Sequence, residues 1–330
     1  MRGSAVLTRA GALSMLLLAM AFTFACSTVL GPGNAELPAG IEQARVPDVD
    51  FEGFLYVRVD PPVTLPPELF PSNSDESASV AAIPTLALRS ATIVAGVAGH
   101  EFGGAFTFDS TEAAGYVLTQ LVAYGIDDHL WSKAVPPDLL LVKGDSGWAD
   151  SVRAGLLSDN LVGLSQADPE AWTLLTNLPA NPPSRPIGAG VLEVEDSLLS
   201  SAGDLAELDL ESVGDAFRFV GVTALAFGVY WDGPLEIPAA LDRAFIRESG
   251  ASILLVSNSG YPGVLVSFIL SIASGRAGLE LIELGDTNAR YRTIDDLHMV
   301  VKNRGSLVYA ALAGSRSAAE DLILSAIADQ

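Results

Sequence analysis

The chain has 330 residues, 49% of them apolar, and 40 acidic against 18 basic side chains give it a net charge of −22. So large an acidic excess excludes nucleic acid as a partner, because no basic surface offsets phosphate repulsion, and it opposes adsorption to anionic lipid through charge. The single cysteine, Cys26, excludes an internal disulfide and the zinc-ribbon and dithiol chemistries, so the fold must stand on its hydrophobic core.

Arg2 and Arg9 are the only charges before Glu36, and Gly11 to Ala25 form an apolar run that stops at Cys26. A short basic start followed by an apolar core is what the secretion machinery recognises. "STVLGPGNAELPAG" follows, with Gly31, Pro32 and Gly33 breaking any continuing helix, and 26–50 is expected to be a tether. The segment resembles the signal of a bacterial lipoprotein precursor, with Ala25 as the small residue before the modified cysteine. That resemblance covers only the start of the chain. It implies export, removal of 1–25, lipid on Cys26, and the membrane as a partner through that lipid. Two other outcomes stay open. Cleavage after Ala25 without lipid would leave an exported protein with a free thiol. Retention of Ala10 to Leu30, about the ~20 residues that a spanning helix needs, would leave an uncleaved N-terminal anchor. Both arginines precede the apolar run, so each outcome places the body outside the cytoplasm.

"FLYVRV", Phe54 to Val59, is the first predicted strand. The proline-rich "DPPVTLPPELFPSNSDESAS" after it is expected to be irregular. "ATIVAGVA" and "GAFTF" flank "GHEFG" as a hairpin, and "DSTEAAGYVLTQL" begins a helix with Asp109 and Glu112 spaced as a capping box. "DLLLVKG" predicts a strand and "SGWADSVRAGLL" a helix whose apolar face is Ala149, Val152, Leu156 and Leu157. A connector follows at 158–187, then a strand at "GVLEV". The acidic stretch 193–215 fits a strand or a helix equally.

"VTALAFGVYW" predicts a strand leading to a helix with Ile237, Leu241 and Phe245 spaced four apart. "SILLVSN" is a strand and "VLVSFILSIAS" a helix. Ser249 to Gly275 carries no charge, but Asn258, Gly260, Pro262 and Gly263 interrupt it, so a central strand and a covered helix are expected there instead of a membrane span. "LHMVV" and "SLVYAALA" form a last hairpin before the helix "SRSAAEDLILSAI".

The hairpin and helix at Ile93 to Leu121 can be laid on His298 to Ala326, where Ser110, Ala113 and Ala114 coincide with Ser315, Ala318 and Ala319. The expected class is α+β, with two related modules at 51–157 and 188–330, each a mostly antiparallel sheet with helices on one face. A doubly wound α/β sheet is the alternative, since Leu225 to Ser274 reads β-α-β-α.

No motif carries chemistry. "GDSG" at Gly144 to Gly147 lacks the glycine and histidine context of a serine protease, and its place before a helix makes Asp145 or Ser146 a cap. "GHEFGG" lacks a second histidine one turn on, and His100, His129 and His298 give no metal spacing. No phosphate loop or esterase elbow is present. No metal or cofactor is expected, and no catalytic residue can be chosen among 40 carboxylates. Trp131, Trp148, Trp172 and Trp231 are foremost core residues. Trp148, Tyr230 and Trp231 lie at strand or helix ends and are the candidates for ligand contact.

The functional expectation is an envelope-anchored, extracytoplasmic binding or interaction lipoprotein, with an envelope protein or polymer as partner. A carboxylate-dependent hydrolase of envelope polymers is the alternative. An enzyme of that kind predicts a cleft with facing carboxylates, a ligand-binding module predicts an apolar pocket, and an interaction protein predicts an exposed apolar patch.

Overall fold

The computed structural model describes residues 38–65, 84–96, 101–123, 130–135, 137–144, 146–158, 160–193, 221–232, 250–294 and 296–328. Cys26, His100, His129, Asp145, all but Glu193 of the acidic stretch 193–215 and the predicted helix around Leu241 lie outside them.

A 3-10 helix, Pro38–Gln43, is followed by β1 (Arg45–Pro47), β2 (Gly53–Thr64), β3 (Ala87–Ala95), β4 (Phe102–Phe108) and helix α1 (Thr111–Ala123). Next come β5 (Leu130–Val135), β6 (Asp138–Lys143), α2 (Gly147–Ser158), β7 (Leu161–Gly163), α3 (Leu164–Ala167), α4 (Pro169–Leu175) and β8 (Pro186–Glu193). The last part runs β9 (Ala224–Tyr230), β10 (Ser252–Asn258), α5 (Gly263–Ala277), β11 (Glu280–Leu284), β12 (Thr287–Ile294), β13 (Leu297–Arg304), β14 (Leu307–Ala313) and α6 (Arg316–Ala328).

Twelve strands form one sheet in the order β11-β12-β13-β14-β10-β9-β8-β2-β3-β4-β6-β5, while β1 and β7 pair separately. Every pairing is antiparallel. The class is therefore α+β, and the doubly wound alternative is overturned: the segment from Leu225 to Ser274 returns β10 alongside β9 in the opposite direction, which a parallel crossover cannot do.

Alternation along each strand sends side chains to two faces. Leu55, Val57 and Val59 of β2 join one core with Ala113, Ala114, Val117 and Leu121 of α1. Phe54 and Tyr56 join the opposite core, which holds Ile41, Val46, Ala149, Val152, Leu164, Leu175, Leu322 and Ile323. In β14, Val308, Ala310 and Leu312 meet Val266 and Leu270 of α5, while Tyr309, Ala311 and Ala313 face the α6 side. Helices thus cover both faces, α1 and α5 on the first and α2, α3, α4 and α6 on the second. This corrects the expectation of helices on one face. The strands are apolar on both sides, so each face must be covered.

The chain is part of the body from Pro38 onward, because Ile41, Ala44 and Val46 are buried in the second-face core within the segment expected to be tether. β2 also continues through Asp60, Pro61 and Pro62 to Thr64. The register against β3 shifts between Arg58 and Val63, an irregularity of the kind that lets a sheet strand tolerate proline.

α1, α2 and α6 begin alike. Ser110 Oγ accepts from Ala113 N–H at 3.1 Å, Ser146 Oγ from Ala149 N–H at 3.3 Å, and Ser315 Oγ from Ala318 N–H at 3.2 Å. Each satisfies a free donor of a helix start. Ser110 is the cap, not Asp109, whose carboxylate pairs with the Arg89 guanidinium.

Read outward from the β2–β8 seam, β2-β3-β4-β6-β5 and β8-β9-β10-β14-β13 follow one connectivity. In each wing three strands are added outward and a first-face helix follows. A hairpin strand then returns beside the third strand, and a second-face helix closes the wing. The β11–β12 hairpin extends the second wing alone.

Candidate interaction surface

The sequence candidates do not converge. Trp231 is buried in the α1-side core and Tyr230 in the core of the opposite face. Tyr230 folds back along β9, its hydroxyl 2.4 Å from where a Cβ on Gly228 would sit, so glycine is needed there. That hydroxyl has no hydrogen-bond partner among the described residues, and burial pushes its pKa up. Trp148 is half-buried: its ring covers Gly96 and its indole N–H donates to Asp50 O at 2.7 Å, closing α2 onto the approach to β2. These three residues fill and fasten the interior. Trp131 and Trp172 pack at the margin of the second-face core.

Among the described residues, no three His, Cys, Asp or Glu side chains come together as metal ligands. A polar cluster does form on the second face. Tyr291 Oη lies 2.6 Å from His298 Nδ1 and 2.9 Å from Thr293 Oγ1, and the Tyr291 and His298 rings stack. The Arg316 guanidinium lies 4.8 Å from the centre of the Tyr291 ring and bonds Glu320 at 2.7 Å, a contact that raises its pKa. This arrangement ties the start of α6 to β12 and β13 through a cation–π contact and side-chain hydrogen bonds.

The distinctive surface belongs to α5. Its sequence, "GVLVSFILSIASGRA", is apolar around most of the helix. Among its described side chains one stripe is used by the fold: Val266 and Leu270 are buried, and Ile269 packs partly against the same core. On the outer side Val264 is 86% and Phe268 62% exposed, with Leu265, Ile272 and the preceding Tyr261 also in water. At the sheet edge Leu281 of β11 is exposed on the same face. A helix that is apolar all round is ordinarily buried all round.

The local chemistry holds this helix in place. Asn258 Oδ1 accepts from Gly260 N–H at 3.2 Å and Ser259 Oγ from Tyr261 N–H at 3.2 Å, turning the chain out of β10. Gly263 starts the helix against the β13–β14 turn, where a Cβ would stand 2.7 Å from Gly305 Cα. Asn303 Nδ2 donates to Ser267 Oγ at 2.9 Å, and the half-buried Arg290 guanidinium donates to Ser267 O at 3.4 Å. Burial lowers the Arg290 pKa. Ser267 is therefore bonded to the sheet and the stripe through Val264, Phe268 and Ile272 is left outward.

The sequence expectation was a covered helix, and α5 is covered on one side only. No described helix is long and apolar enough to cross a membrane. No family model, curated protein or solved structure matches this chain.

Proposed function

We propose that this chain is an exported lipoprotein, held to the outer face of the cytoplasmic membrane or another envelope membrane by lipid on Cys26, that works by binding and not by chemistry. The uncovered apolar face of α5 carries the binding half of this reading. Its exposed side chains make an apolar patch of the size that is often functional on a monomer. The leader ending at Cys26 supports the location.

Fatty-acid labelling in cells tests the anchor: label is expected on the native chain and absent from Cys26→Ser, and equal labelling of both would sink it. The binding reading is tested by cross-linking in cells from a photoreactive residue at position 268 and, as a control, at Leu157 on α2. Adducts specific to position 268 are expected, and identical patterns from both positions would count against it.

We further infer that 51–157 and 188–330 are two related modules joined at the β2–β8 seam. Their shared connectivity supports this reading. It pairs β5-β6-α2, not β3-β4-α1, with β13-β14-α6, because α2 and α6 lie on the same face and α1 on the other. Homologous sequences should align 53–158 with 186–328 in that register, and a best match in any other register would overturn it.

A further inference from the structure

We propose that the outer face of α5 seats a second copy of this chain, so that two copies pair across their α5 helices about a two-fold axis. The proposal rests on reading that face as the interaction surface and names its occupant.

Three observations favour a second copy. The first is size. Taking ~150–250 Å² for an aromatic side chain and less for an aliphatic one, the exposed parts of Tyr261, Val264, Leu265, Phe268 and Ile272 leave on the order of 500 Å² of surface in water. Two such faces, with their rims, come close to the ~1,200 Å² at which standard protein interfaces begin. The second is shape. Val264, Phe268 and Ile272 are spaced four apart and form one straight ridge beside the small, exposed Ser271. A ridge of this spacing fits the groove of an identical helix, and a two-fold axis matches each patch with itself.

The third is charge. The chain as a whole is at −22, yet residues 250–304 carry five acidic and five basic side chains, and α5 itself only Arg276. Two copies meeting there avoid the repulsion that opposes contact elsewhere. A bilayer is the poorer fit. Helices that lie in the lipid interface carry a polar face rich in Lys and Arg, whereas α5 itself carries only Arg276, near its end, and the acidic body is repelled by anionic headgroups.

Because Cys26 is the only cysteine, the test can be made in intact cells with the full chain. Phe268→Cys in a Cys26→Ser background should form a cross-linked pair with a short bis-maleimide, and Leu157→Cys in the same background should not. The purified chain should sediment as a dimer at tens of micromolar, and Phe268→Ser should weaken the dimer at least tenfold. Phe268 is on the surface, so the variant should keep its circular dichroism spectrum.

Sedimentation as a monomer at every concentration would overturn the proposal. So would equal cross-linking from both cysteines, or a dimer indifferent to Phe268→Ser. A monomer that binds phosphatidylcholine vesicles through Phe268 would overturn the second copy while keeping α5 as an interaction surface. A monomer that binds neither would remove both readings.

Discussion

Two helices cover the same pair of strands, β13 and β14, from opposite sides, and they solve the problem differently. α6 shows the core one stripe, Ala319, Leu322, Ile323 and Ala326, and turns Arg316, Ser317, Asp321 and Ser325 to water or to surface contacts. α5 shows the core Val266 and Leu270 and turns Val264, Phe268 and Ile272 to water. β14 is apolar on both sides, and β13 turns Leu297, Met299 and Val301 to α5 but His298 and Lys302 to α6, so the apolar surplus on α5 lies in the helix's own outer face and not in the strands beneath it. An amphipathic helix is complete when it has met the sheet. A helix that is apolar all round has surface left over, and that surplus is information about function, because burial in this fold does not require it.

The sharpest test of the contrast is on the α6 side. Leu322→Ala removes a fully buried side chain from a core already closed by its neighbours, and should cost about 3 kcal/mol in chemical denaturation. A cost below about 1 kcal/mol would mean that the second face is much looser than this packing implies. The cap of the same helix comes next. Ser315→Ala leaves the Ala318 N–H without its acceptor and should cost about 1 kcal/mol, with Ser110→Ala similar on α1. Because the three caps are local, the losses should add when combined.

These caps also show what could be read in the sequence. In α1, α2 and α6 alike a serine precedes the helix and an alanine follows it three residues on, a local signal that the Asp109–Glu112 spacing concealed in α1. β3, β4, β6, β10, β13 and β14 were legible because their apolar runs are short and bounded by turn residues. β5 was missed because Leu130 to Val135 is half-exposed and mixed in character. β11 and β12 were missed because Glu280, Glu283, Arg290 and Arg292 mask the alternation at an edge where few side chains need burial.

The two-faced coverage was not legible either. It depends on Gly53 meeting Leu192 across the seam, a pairing between distant parts of the chain that no local pattern encodes. Nor could periodicity identify the candidate surface. In "VLVSFILSIAS" nearly every direction is apolar, so only the fold decides which residues are left outside. Tyr230 and Trp231 stand at the end of a strand, where ligand contacts gather, but successive residues there point to opposite faces, and both faces here are core.

Smaller effects probe the interior around those residues. Tyr230→Phe removes a buried hydroxyl that has no partner among the described residues, so it should be neutral or stabilising by up to about 1 kcal/mol. A loss of more than that would reveal a bond the hydroxyl makes. Lys302 on β13 is also nearly buried, its ammonium bonded to the Thr287 hydroxyl, and desolvation lowers its pKa from the ordinary 10.5. The unfolded chain therefore binds this proton more tightly than the folded one, and folding is disfavoured while the amine is charged in the unfolded state. Lys302→Met should raise stability at neutral pH. The advantage should shrink as pH rises through the depressed folded value towards 10.5, where the wild-type amine loses its proton in both states. An advantage that is constant across that range would mean that packing, not charge, is responsible.

The smallest effect in dilute solution belongs to α5. Phe268→Ser replaces a side chain that is 62% exposed, so an isolated chain should change by less than about 0.5 kcal/mol, in contrast to Leu322→Ala on the other face of the same strands. That equality should end as concentration rises. A dimer stabilises only the folded chain, so the melting temperature of the wild type should climb with concentration while that of Phe268→Ser stays flat. The two curves would meet at the dilute limit and separate above the dimer's Kd. If they run parallel at every concentration, the apolar face of α5 contributes nothing between copies, and its cost in exposed surface must be repaid by some other partner.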